Sequence, residues 1–321
     1  MANELTFWII FWIIVFILFY VDLYVTGHRK GKITLKSSLI WSGVWICTAL
    51  LFNVFLYFYL EDGHHKALEF LTGYLIEYSL SVDNLFVFLL IFKVMNVSPE
   101  NQPQILKWGI ISAIIFRIAF IFVGVGLIKL FHPVIYLFAL ILLYAAYKMA
   151  FGGEYEVDVD HNPLVRFAVK YFKMLPGYHG RHFFVKKDGK TFATTLFLTL
   201  LLIESTDIVF AVDSIPAIIA ITRDEFIIIT SNIFAILGLR SLYFALAGIV
   251  DIFAYLKYGV SFVLFYVGIK MLISDFYEIP IVISLGIIVV CLGGSVILSL
   301  IKRKKDAVSS INHTDESKRL K

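Results

Sequence analysis

The sequence predicts an all-α, polytopic transmembrane helix bundle of about nine spans, and three observations carry that expectation. The chain is 60% hydrophobic and only 16% charged over 321 residues. A water-soluble fold of this length shows roughly 45–50% apolar and about 25% charged residues, so the excess apolar surface needs lipid as its solvent. The mean hydropathy is +0.86. The apolar residues also gather into runs long enough to cross a bilayer core about 30 Å thick, which takes roughly 20 residues of helix.

Nine such runs are read, at 5–25, 38–60, 67–92, 105–130, 133–151, 191–221, 226–250, 257–274 and 279–301, the fifth and eighth being short. The first has no Lys or Arg ahead of it and a basic cluster behind it, the reverse of a secretory signal peptide, so it is expected to stay as a span. Loop charges set the orientation, because Lys and Arg close to span ends remain in the cytoplasm. Arg29, Lys30, Lys32 and Lys36 fill the first loop, and Arg166, Lys170, Lys173, Arg181, Lys186, Lys187 and Lys190 fill the segment 152–190. Lys302, Arg303, Lys304 and Lys305 open the tail, whereas the opposite side keeps Lys66, Lys129 and Arg223. The N-terminus is therefore expected outside and the C-terminus inside. Cys47 and Cys291 are single thiols within spans and offer neither a disulfide framework nor a metal-binding pair.

An internal repeat organises the middle of the chain. Residues 77–84 line up with 207–214, each placing one acid six residues before another: Glu77 and Asp83, Asp207 and Asp213. Arg117 answers Arg240, and Lys148 answers Lys270, at Arg-to-Lys spacings of 31 and 30. Each copy holds three spans, so the second enters the membrane from the opposite side, the inverted-repeat plan of many secondary transporters. The expected units are two N-terminal spans (1–66), a first three-helix repeat (67–151), a cytoplasmic loop (152–190), a second, inverted repeat (191–274), a last span (275–301) and a basic tail (302–321).

Five acids then fall inside spans: Glu77, Asp83, Glu204, Asp207 and Asp213. A charged acid at the bilayer centre costs roughly 2.5–3.5 kcal/mol, so they must meet a cation, a basic group, water or one another. Arg117 and Arg240 are the basic side chains well inside spans, and two guanidinium groups cannot neutralise five acids. That shortfall argues for a bound cation. Glu77, Ser81 and Asn84 share one helix face, as do Asp207, Ala211 and Ser214, with Glu204 a turn earlier. Pro216 leaves the Val212 carbonyl without its helical donor, and an opened backbone beside Asp213 is expected there. Asn53 and Asn232 either line the path or bond across helices, Asp22 is read as interfacial, and Lys148 and Lys270 as reaching for the membrane surface. The eight histidines all lie in loops or the tail, so the membrane core offers oxygen alone. Oxygen donors suit Mn, Mg or Ca rather than Zn or Cu, and do not rank those three. A proton relay, or acids that only lock helices to the two arginines, would use the same residues. A membrane hydrolase is disfavoured, since HExxH and GxSxG are both missing. Nothing calls for a prosthetic group or for nucleic acid; the expected partners are a divalent ion and membrane lipid.

Segments 77–84 and 207–217, with the run from Asn232 to Arg240 and the stretch 268–273 followed by Asp275, resemble the TerC family of bacterial membrane proteins, and within it the alkaline-inducible type. The likeness spans about residues 40–300. It implies a bacterial inner-membrane protein of a family associated with manganese export and, by name, with tellurite resistance. It passes the metal-binding role to Glu77, Asp83, Asn84, Asp207, Asp213 and Ser214, with Glu204 as an addition.

Overall fold

The structure, a computed structural model, describes residues 2–22, 34–152, 159, 162–175, 177–187, 189–248 and 255–319, of which 2–4 and 303–319 are described as backbone. The side chains of Arg29, Lys30, Lys32, Arg303, Lys304 and Lys305, on which part of the orientation rests, lie outside the described residues, as do those of His28 and His161.

The chain is helical almost throughout. In order it forms α1 (Ala2–Tyr20), α2 (Leu35–Tyr59), α3 (Gly63–Val94), α4 (Gln102–Leu130), α5 (Val134–Phe151), α6 (Pro163–Tyr171), β1 (Met174–Leu175), β2 (Phe184–Lys187), β3 (Lys190–Thr194), α7 (Thr195–Ile219), α8 (Glu225–Ile236), α9 (Leu239–Ala247), α10 (Leu256–Leu272) and α11 (Ile281–Arg319). Local chemistry sets several starts. The Asp224 carboxylate accepts from the amides of Phe226 at 2.9 Å and Ile227 at 3.3 Å to begin α8. Asn162 does the same for α6, with Pro163 in the first turn.

Among the described residues, α2, α3, α4, α5, α7 and the Ile281–Lys302 part of α11 are long and apolar enough to cross a membrane, which makes six, or seven if α8 and α9 form one bent span. The stretches expected at 5–25 and 257–274 are helices of shorter length, Leu5–Tyr20 and α10 with 17 residues. Large apolar side chains such as Phe16, Phe58, Tyr147 and Val290 face outward along the bundle, as lipid-facing surfaces do. The protein is a multi-pass integral membrane protein.

α3 lies at the centre, touching α2, α7, α8, α9, α10 and α11. The packing around it is reciprocal. α3 packs on α8 while α4 packs on α7, and α3 meets α7 as α5 meets α10.

Two local features differ from the sequence reading. The segment 152–190 carries α6 and most of a three-stranded sheet in the order β1-β3-β2, β1 parallel and β2 antiparallel to β3. And α7 stays one helix through Pro216, so the backbone beside Asp213 does not open. Pro216 sits in the last turns of α7, and the helix runs on past it to Ile219 without the bond to the Val212 carbonyl. The break lies instead between α8 and α9, a bend of 40° at Leu237 and Gly238. Gly238 has φ +85°, and an added Cβ would stand 2.8 Å from Cβ and 2.5 Å from Cγ of Trp45 on α2. Glycine is the residue that fits both constraints.

Candidate functional site

Four helices meet, α3, α4 and α8 near their midpoints and α7 toward its C-terminal end, and each brings polar groups to that crossing. α3 supplies Glu77, which is 1% exposed, and Ser81, whose hydroxyl donates to Glu77 Oε1 at 3.1 Å. The four-residue spacing puts the two on one helix face, as the sequence implied. From α4, Arg117 forms an ion pair with the same carboxylate oxygen. Its Nη1 also lies 3.2 Å from Asn232 Oδ1 on α8 and 3.4 Å from Ser214 Oγ on α7. Asn232 is held in turn by its own amide, which donates to the Ile228 carbonyl at 3.0 Å. One guanidinium thus ties all four helices together in the interior.

The second carboxylate oxygen of Glu77, Oε2, is buried and accepts no hydrogen bond. An acceptor stripped of water and left without a donor is costly, and natural structures keep few of them. Beside this network lies a cavity of about 20 Å³, on a measure by which one water needs roughly 10–15 Å³. Its polar wall is Ser81, Asn84, Arg117 and Asp207. Ile236 and Leu239, on either side of the α8–α9 break, close it. Asp207 is part-buried and within electrostatic reach of Arg117, Glu204 and Glu77. Asp213, also part-buried, is within reach of Glu77 and Arg117.

The remaining expected residues stand further out. Glu204 accepts from the Ser112 hydroxyl of α4 through Oε1, while its Oε2 is buried without a partner. Asp83, 8% exposed, has an unpartnered Oδ2 and the ammonium of Lys257 on α10 within electrostatic reach. Arg240 does not join the four-helix crossing: its guanidinium meets Asp22, Nε to Oδ2 at 3.8 Å and Nη2 on the backbone carbonyl. Asp22 is 1% exposed, so its carboxylate is enclosed by protein. Asn53 Oδ1 on α2 is buried and unpartnered, away from the cavity wall. Among the described residues no three His, Cys, Asp or Glu side chains close around a point that could hold a metal ion. The arrangement brings together Glu77, Ser81, Asn84, Asp207, Ser214 and Asn232 around Arg117, and leaves Asp83, Glu204 and Arg240 on its flanks.

Sequence reasoning missed Ser112 and Lys257. A lone hydroxyl on a span carries no pattern, and Lys257 at the start of α10 reads as an ordinary interfacial lysine. The break at Gly238 had a signal, an isolated glycine within an apolar helical run.

The cavity occupies the half of the bundle where α3 ends and α4 begins. The other half is packed shut. A Cβ at Gly73 would overlap Ile218 Cδ1, and one at Gly124 would lie 3.1 Å from Ile219 Cδ1 and 3.2 Å from Ile215 Cγ2. At that end Lys66 pairs with Asp224 at 3.0 Å and Lys129 with Glu225 at 2.5 Å.

Comparison with known proteins agrees with this architecture. Residues 62–307 match the model of the integral membrane protein TerC family. The Alx proteins of Shigella flexneri and Escherichia coli K12, named as proposed membrane-bound redox modulators, are each 47% identical over 262 residues, which covers 80% of this chain and 82% of theirs. An uncharacterized membrane protein of Myxococcus xanthus, STKORF319, is 45% identical over 278 residues, 86% of each chain. No solved structure matches. The chain belongs to the TerC family of integral membrane proteins.

Proposed function

We propose that this protein is a secondary transporter of the bacterial inner membrane that exports a divalent metal ion, Mn²⁺ before Ca²⁺ or Mg²⁺, in exchange for protons. The observations that carry the reading are the buried, unpartnered Oε2 of Glu77 and the small cavity, walled by Asp207, Asn84 and Ser81, that borders its ion-pair partner Arg117. Carboxylate, amide and hydroxyl oxygens are the donors that hard divalent cations prefer. The ligands we assign are Glu77, Asp207, Asn84 and Ser214 at the crossing, with Asp213, Asp83 and Glu204 along the path. The resemblance to the family puts Mn²⁺ first.

The reciprocal packing of the two helix triplets supports an inverted repeat, and the broken α8–α9 helix at the cavity is the device that transporters of that plan use at mid-membrane. With the N-terminus outside, the cavity faces the cytoplasm and the shut half faces out, as a state that loads cargo from inside requires. The redox role in the relatives' name would fall, in this chain, to two free thiols on separate helices, Cys47 on α2 and Cys291 on α11. The buried acids would have no part in it, and they are what the transport reading accounts for.

The test is Mn²⁺ uptake into inverted membrane vesicles, with Ca²⁺ and Mg²⁺ measured alongside. Glu77→Gln and Asp207→Asn are expected to lower the rate by at least ~10-fold, since groups that merely support metal ligands already cost that much. If both variants insert normally and transport at the wild-type rate, the site assignment is wrong.

A further inference from the structure

We propose that Arg117 is a tethered stand-in for the transported cation: it occupies the ligands in the empty protein and is displaced when metal loads. This rests on the transport reading above and adds a role for one residue within it.

The geometry points there directly. Glu77, Ser214 and Asn232 come from three different helices and present three different oxygens, a carboxylate, a hydroxyl and an amide. That is the kind of donor set a hard cation collects, and a single guanidinium nitrogen collects it here. Arg117 is 7% exposed and is also part of the cavity wall, so it sits between these oxygens and the space from which an ion would arrive. Asp207 and Asp213 both feel its charge from their own positions on α7. Several acids surround one positive group, and no three of them close on a common point. The guanidinium occupies the place where they would converge.

A structural ion pair would be content with one partner on each side. Here Glu77 keeps Oε2 buried and without a donor while Arg117 spreads its bonds over three helices. A divalent ion arriving at Glu77 and Asp207 would bring twice the charge of Arg117, repel it, and release α7 and α8 from the bonds that hold them to α4. Loading and the loosening of the four-helix crossing would then be one event. In the return step Arg117 would re-enter, and the bundle would close without cargo.

Two measurements on the full-length chain separate this from a packing role. The first is Mn²⁺ binding to purified protein in detergent, by calorimetry. Arg117→Gln removes the competitor and is expected to lower the dissociation constant about tenfold, while Arg117→Lys, which keeps the charge and gives up the fork, tightens it by less. The second is transport in proteoliposomes, comparing net Mn²⁺ efflux with exchange of internal label for external Mn²⁺. Arg117→Gln should lose net efflux and retain exchange, because exchange never passes through the empty state.

Weaker binding in Arg117→Gln, or net efflux and exchange falling in parallel, overturns the proposal and leaves the transport reading standing. Should Arg117→Gln fail to fold, Arg117→Lys with an affinity equal to or weaker than wild type overturns it equally. A wild-type protein that binds none of Mn²⁺, Ca²⁺ or Mg²⁺ would remove the transport reading itself.

Discussion

Replacing Gly238 with alanine tests the joint on which the cavity leans. Two costs are legible in the structure. At φ +85° an alanine sits in the left-handed region, roughly 1–2 kcal/mol above its preferred backbone. Its methyl would also stand 2.5 Å from Cγ of Trp45, a side chain 4% exposed and so with little room to yield. Overpacking of that kind costs roughly 1–3 kcal/mol. The two contributions together predict a loss of about 2–5 kcal/mol. Unfolding by SDS titration in mixed micelles measures it. On a Trp45→Gly background, which removes Cβ as well as the ring, the steric part disappears, so Gly238→Ala should there cost only the backbone part. Gly286, on the outer face of α11 with nothing within 4 Å of an added Cβ, is the control that accepts alanine without loss. A Gly238→Ala protein as stable as wild type would mean that α8 and α9 do not join through a left-handed residue. An equal loss on both backgrounds would mean that Trp45 is not what the methyl meets.

Two further outcomes follow from the flanks of the site. Ser112→Ala withdraws the hydroxyl from Glu204 Oε1 and leaves both oxygens of a buried carboxylate without a donor, so a loss of about 1–3 kcal/mol is expected in the same titration, and Glu204→Gln on top of it should restore part. The Lys66–Asp224 pair at the shut end is about a third exposed on each side, so a double-mutant cycle on Lys66→Ala and Asp224→Ala should give a coupling of only ~0.2–1 kcal/mol, shrinking with added salt.

The membrane class was legible because lipid imposes a composition that no packing detail can hide. Glu77 and Ser81 were legible as a pair because helical spacing alone puts them on one face, and the structure bonds them. Arg117 and Arg240 show where such reasoning stops. They occupy equivalent places in the two sequence copies, which suggests equal roles. One sits on an unbroken helix and reaches Glu77, Ser214 and Asn232; the other follows the 40° bend and reaches Asp22. Repeats in sequence fix which residues correspond, and the local backbone decides what each one meets. The sheet in the segment 152–190 was missed for a different reason. Lys187 pairs with Lys190 and Gly189 has φ +70°, and in the sequence the Asp188-Gly189 dipeptide is a recognised hairpin signal. The basic residues around it had drawn attention to charge, which says nothing of backbone.

Charge counting, the first hint from the sequence, becomes sharper once positions are known. Two guanidinium groups stood against five acids; the structure assigns one of them to Asp22 and leaves Arg117 as the guanidinium beside Glu77, Asp207 and Asp213. Glu204 has a neutral hydroxyl for company, and Asp83 has an ammonium within reach but not in contact. Each ionised acid without a partner at mid-membrane costs roughly 2.5–3.5 kcal/mol. Two things lower that cost, a proton on the carboxyl or a cation beside it. In the proposed transport reading, a set of acids held around one displaceable guanidinium trades protons for a metal ion as it faces one side of the membrane and then the other, and an excess of negative groups over fixed positive ones is what makes that trade possible. The same groups, each matched by its own arginine, would bind the helices together and move nothing.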